Sequence, residues 1–317
     1  MAPTPPQLDE HGFPIPPTFD DEGRSSRRRG ISHRGALWLL FLVFVALLVG
    51  GIAKSGGWQD AKEWFAELLL NRAWQKFRLE ADSRGALADL DRAAALSPDD
   101  PKIYELRAEV RFELKDFQGA LADYDQLIKL NGRYAAAYAG RSVVYQRLKR
   151  HREAIDDLTQ VIKLSSERDA LSRNNRAYAR AIAGIELEAG FEDIQDALEF
   201  SAELRGTPDS PQNANAAFLD TRGYLHLLLG RPEAAWADLD QAIKNAEAEH
   251  RNQADQLRLD RQPPQVRAYF AKRFAEELAV MYHHRGQAQQ ALGHAAEAEA
   301  DLSKGDELGY NPEGGVY

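Results

Sequence analysis

Cysteine is missing from all 317 residues, which excludes disulfides, thiolate metal ligands and cysteine nucleophiles together while leaving the redox compartment open. Glycine-rich phosphate loops, a Gly-x-Ser-x-Gly elbow and a His-Glu-x-x-His helix are missing too, and with them the familiar catalytic signatures. Histidine does not fill the gap. His283 and His284 are adjacent and so point to different faces of a helix, and His294 with Glu297 has a spacing common on any charged helix. No catalytic residue, no metal site and no cofactor is expected.

An excess of positive charge is also lacking: 40 Lys and Arg stand against 49 Asp and Glu. The first 34 residues balance, with Asp9, Glu10, Asp20, Asp21 and Glu22 against Arg24, Arg27, Arg28, Arg29 and Arg34. Everything beyond Lys54 therefore forms an acidic body, which excludes a nucleic-acid-binding surface and general adhesion to anionic headgroups.

Long hydrophobic runs are scarce, with one exception. Gly35 to Ala53 reads GALWLLFLVFVALLVGGIA, uncharged and apolar all round, and as a helix it covers roughly 30 Å of hydrocarbon. The arginine-rich upstream flank, against only Lys54 and Lys62 downstream, places the N-terminus in the cytoplasm and the remainder outside it, in the periplasm if the cell is bacterial. A cleaved signal peptide is the competing reading, since Gly50, Gly51 and Ala53 are small, but the 34-residue leader favours a retained anchor. The leader, with Pro3, Pro5, Pro6, Pro14, Pro16 and Pro17, sustains neither helix nor strand and is expected to be a disordered cytoplasmic tail.

What the rest contains is a repeat. GALADLDRAAALSPD from Gly85, GALADYDQLIKLNGR from Gly119 and EAIDDLTQVIKLSSE from Glu153 superimpose without gaps, so that Ala86, Ala120 and Ala154 recur every 34 residues. Ahead of them, segments such as YELRAEVRFELKDF and YAGRSVVYQRLKRH carry apolar or small residues at helical spacing. Each unit is thus a pair of helices. Ala108 against Ala120, Ser142 against Ala154 and Gly223 against Ala235 are small enough for close approach.

This pattern of aromatic, small, aromatic in the first helix and small, bulky, small in the second, with Pro98 near one unit's end, resembles the tetratricopeptide repeat. The resemblance implies an all-α, right-handed superhelical solenoid of about six hairpins over 67–312, at about 67–100, 101–134, 135–168, 170–204, 216–249 and 279–312. Residues 54–66 would begin a juxtamembrane helix through Trp58, Trp64, Phe65, Leu68 and Leu69, with Trp58 placed for an interfacial belt. Ser201 to Asn215, with GTPDSPQN, reads as a loop. Lys244 to Ala279 reads as extensions of the flanking helices broken at Pro263 and Pro264, with Val266, Tyr269, Phe270 and Phe274 packing on a neighbour.

Two constellations stand out. Arg107, Arg141, Arg176, Arg222 and Arg285 precede the small residue of the first helix, while Asp123, Asp157, Asp193, Asp238 and Asp301 recur in the second; planar guanidinium groups facing carboxylates predict a ladder of contacts, the alternative being independently solvated charges. The family resemblance also implies partner binding on a concave face, whose positions here hold Ala139, Val143, Asn174, Asn175, Tyr178, Asp220, Tyr224 and Leu228. Amides there would bond an extended backbone and the rings and Leu228 would give apolar contact. Relatives that clamp chaperone C-termini use lysine, asparagine and arginine. Only Asn175 matches, with Ala139, Val143, Ala217 and Thr221 around it, so a chaperone-tail receptor is not expected. The reading is a membrane-anchored scaffold that binds a protein or peptide, with a homo-oligomeric envelope component or a non-catalytic subunit of a membrane enzyme complex as alternatives.

Overall fold

The computed structural model describes residues 57–165, 168–205 and 215–311. The leader 1–34, the apolar run 35–53 and the segment 206–214 lie outside them. Among the described residues there are twelve α-helices and no strand, and none of those helices is long and apolar enough to cross a membrane.

The helices pair as α1 (Gly57–Arg78) with α2 (Ser83–Leu96), α3 (Pro101–Glu113) with α4 (Phe117–Leu130), and α5 (Ala135–Arg147) with α6 (His151–Leu164). They continue as α7 (Ala170–Ala183) with α8 (Leu187–Arg205), α9 (Ala216–Leu228) with α10 (Pro232–Gln256), and α11 (Pro264–Leu292) with α12 (Ala295–Glu307). From α2 onward each packs on the next, and α9 also packs on α7 and α11.

Local sequence sets these ends. Asp82, Asp100, Asp116, Asp169 and Asn215 each precede a helix and accept a backbone N–H of its first turn, relieving donors that have no intrahelical partner. Pro101, Pro232 and Pro264 occupy first-turn positions, where a missing N–H costs nothing. Between paired helices the chain turns through a left-handed residue, Ala81, Lys115, Lys149, Gly230 or Gly293, and between α7 and α8 through two, Gly184 and Glu186.

Packing is closest where the small residues meet. Ala86, Ala120, Ala154, Ala235 and Ala298 are all buried. A Cβ on Gly223 would stand 2.6 Å from Leu239 Cγ and 3.2 Å from the Ala235 carbonyl oxygen, and one on Gly286 would meet Leu302 and the Ala298 carbonyl in the same way. First helices thus lie almost against the backbone of their partners, a spacing that excludes larger side chains.

α1 runs unbroken from Gly57 into the first repeat, and Ala66 and Ala73 share one buried stripe along it. One boundary differs from the sequence reading. Ser201–Arg205 is helix and not loop, Glu203 there pairing with Arg168 at 2.7 Å. The long connection contains a short 3-10 turn, Leu259–Arg261, between the extended α10 and α11. There Phe274 stacks on His250 at 4.0 Å and Phe270 leans on Phe274, while Tyr269 stays exposed.

Replacing the fully buried Ala154 by leucine forces α5 and α6 apart. We expect a loss of about 1–3 kcal/mol of unfolding free energy, read from the urea midpoint of the helical signal.

A candidate partner-binding face

Each first helix delivers an arginine to a buried aspartate on its partner helix. Arg141 donates through Nε and Nη2 to the two oxygens of Asp157 at 2.8 and 2.7 Å. Arg107 binds Asp123, Arg176 binds Asp193, Arg222 binds Asp238 and Arg285 binds Asp301 in the same two-pronged way. The remaining Nη1 of several reaches back to the preceding hairpin: Arg107 to Asp91, Arg141 to Asp125, Arg176 to Thr159 and Arg285 to Asp240. One guanidinium therefore joins three helices, which its planar array of five donors permits and an ammonium would not.

A sixth rung, Arg72 with Asp89, lies in register and went unread in the sequence, as did the second cations Lys76, Arg111 and Arg180 on Asp89, Asp123 and Asp193. Burial is the largest influence on the carboxyl of Asp89, yet Arg72 and Lys76 together hold it below its ordinary range. At Asp123 and Asp157 burial raises the carboxyl despite the arginines. The desolvation cost of those pairs is only partly offset, so they specify where helices sit more than they add net stability.

Relative to these arginines, α5, α7 and α9 carry matching stripes on another face. Leu228 is exposed on it, and Ala139, Val143, Asn175 and Tyr224 are half-buried. Asn174, Tyr178 and Asp220 are buried and present no surface to a partner, which corrects their assignment. The cause is packing between first helices: α9 lies on both α7 and α11 and covers the middle of the stripe. The stripe instead opens at Leu171 and Ile182, 60% and 46% exposed, which sequence reasoning missed. Their three- and four-residue spacing from Asn174 and Tyr178 was the available signal.

Under the covered part lies a polar knot. Asp220 Oδ1 bonds His284 Nδ1 at 2.9 Å, and the His284 ring stacks on Tyr224 at 4.1 Å. His283 turns the other way and stacks on Tyr310 at 3.8 Å. Burial, helped by the Asp220 carboxylate, pushes the hydroxyls of Tyr178, Tyr224 and Tyr310 upward, keeping all three neutral.

Residues 135–168, the α5–α6 hairpin, match the tetratricopeptide repeat model, so the chain contains such a repeat. No curated protein matches the chain. Among solved structures, a tetratricopeptide repeat protein from Parabacteroides merdae ATCC 43184 is 19% identical with a TM-score of 0.53, over 82% of this chain and 90% of that one. PilW, a widely conserved type IV pilus biogenesis factor, is 16% identical with a TM-score of 0.52, over 78% and 96%. MamA from residue 41 onward, from Desulfovibrio magneticus RS-1, is 19% identical with a TM-score of 0.50, over 58% and 96%. At these identities the likeness is one of fold.

Asp157→Asn leaves Arg141 with a neutral partner at a buried position, and we expect about 3 kcal/mol of destabilisation by chemical denaturation. The double variant R141M/D157L should recover much of that loss. The imidazoles of His226 and His283 are held below the ordinary 6.5, by burial first and then by Arg222 and Arg231 for the former and His284 for the latter. The unfolded chain binds these protons more readily than the folded one, so their stabilising contribution is complete above about pH 6.5 and is lost as pH falls below it. The melting temperature should drop on acidification from about pH 7.5 to 5, and drop less in the His226→Gln/His283→Gln variant.

Proposed function

We propose that this tetratricopeptide-type array is the interaction arm of a membrane-anchored scaffold and holds a partner protein or peptide on its first-helix face instead of catalysing a reaction. The observation that carries this reading is the open row of Leu171, Ile182 and Leu228, bordered by half-buried Ala139, Val143, Asn175 and Tyr224. Aliphatic anchors with an amide and a phenol beside them suit a helix or an extended segment that offers periodic apolar side chains. The arginines and aspartates of the array, by contrast, are committed to one another, which leaves this face little equipment for acid–base chemistry.

The apolar run 35–53 and its arginine-rich upstream flank support an anchor with the array on the non-cytoplasmic side. A second reading, self-association into a homo-oligomer, is favoured by the exposed Tyr269 on the extended part of α11. Sedimentation of the full chain decides it, since a concentration-independent monomer counts against self-association.

A photo-crosslinking residue at Ile182 or Leu228 should yield the same partner adduct in intact cells, and Val143→Asp should weaken it with the helical signal unchanged. Equal capture from Trp236, exposed on the second helix α10, would sink this face as the binding site. Protease added outside the inner membrane should digest the array and spare the leader.

A further inference from the structure

We propose that the first three turns of α1 lie against the lipid interface through an apolar stripe facing away from the array. This rests on the reading of 35–53 as a membrane anchor.

α1 carries two apolar stripes, not one. Ala66, Leu69, Leu70, Ala73 and Phe77 pack against α2 and α3 around Ala86, Leu90, Ala93 and Ile103. Ala61, Trp64, Phe65 and Leu68 take the i, i+3, i+4 and i+7 positions of a second face; Ala61 is half-buried, and the three large side chains are left without a cover, Trp64 59% exposed and Phe65 and Leu68 each 50% exposed. Two aromatic rings and a leucine in contiguous contact with water are a cost that an isolated surface leucine is not, and Trp64 and Phe65 meet edge to face at 4.9 Å.

Three observations select lipid as the occupant. The apolar run ends at Ala53 and α1 begins at Gly57, a separation that extended chain bridges in at most about 14 Å; Trp64 stands only about 10 Å further along the helix. A bilayer holding 35–53 is therefore within reach of this stripe. The stripe also stops where the distance grows: its next position, one turn beyond Leu68, is Arg72, which is engaged with Asp89. Finally, the acids of these turns, Asp60, Glu63 and Glu67, fall a quarter-turn or more from the centre of the apolar stripe at 100° per residue, so an interface would meet rings and methyls at that centre and not carboxylates. An amphipathic helix of this kind settles at the headgroup boundary, where tryptophan is the favoured side chain.

The absence of cysteine makes the test direct. Leu68→Cys, Phe65→Cys and, off the stripe, Glu67→Cys each give the full chain one thiol for an environment-sensitive fluorophore. The labelled proteins are reconstituted in phosphatidylcholine vesicles with a minority of phosphatidylglycerol. We expect the labels at 65 and 68 to be blue-shifted and to lose emission to lipids spin-labelled just below the headgroups, and the label at 67 to lose emission to aqueous iodide instead. Aqueous quenching at all three positions in a chain that floats with the vesicles overturns this inference and leaves the anchor standing. Self-quenching between labels at 68 that is relieved by dilution with unlabelled chain, without lipid quenching, assigns the stripe to a second copy and also overturns it. A chain that fails to float removes the anchor and this face with it.

Discussion

A carboxylate buried between two helices is tolerable only if a cation meets it with matched geometry, and this constraint governs how the hairpins stand. Asp89, Asp123, Asp157, Asp193, Asp238 and Asp301 are all buried, and each receives an arginine from the facing helix. Moving either helix by a turn would strand the carboxylate without its donors, at a cost far above the net worth of the pair. The third nitrogen of Arg107, Arg141, Arg176 and Arg285 then fixes the next hairpin's distance from the last. Rotation about a smooth apolar contact is thereby replaced by a register.

The small residues are the complement of that register. Gly223 and Gly286 leave no room for a Cβ against Leu239 and Leu302, and only at such a separation can a guanidinium reach across with two nitrogens. Close approach and charge pairing are thus one arrangement seen from two sides. Between α7, α9 and α11 the approach is close enough to bury Asn174, Tyr178 and Asp220, which moves the open part of the face outward to Leu171, Ile182 and Leu228. Partner binding on that face would be governed by apolar contact at its margins and not by the amide of Asn174.

The helix pairs were legible in the sequence because two signals coincide every 34 residues: a small residue that must touch a neighbour, and an arginine sixteen or seventeen positions before an aspartate. Both are local in pattern, and in a repeat the nearest-neighbour contacts they encode recur. The first rung, Arg72 with Asp89, was harder to see because the unit around it departs from the others in its first helix, where Trp and Phe stand on the outside.

By itself, then, the sequence determined helical hairpins, their spacing, the candidates for charge pairing and the apolar run, since periodicity and charge sign are properties of the chain. Only the tertiary structure decided which half of each stripe meets water. A helix turns several faces outward, and whether Tyr178 is covered while Ile182 is open depends on how near α9 comes to α7, a distance set by side chains forty residues away. The same holds for α1, whose two apolar stripes look alike in sequence until α2 and α3 cover one and leave Trp64, Phe65 and Leu68 on the other.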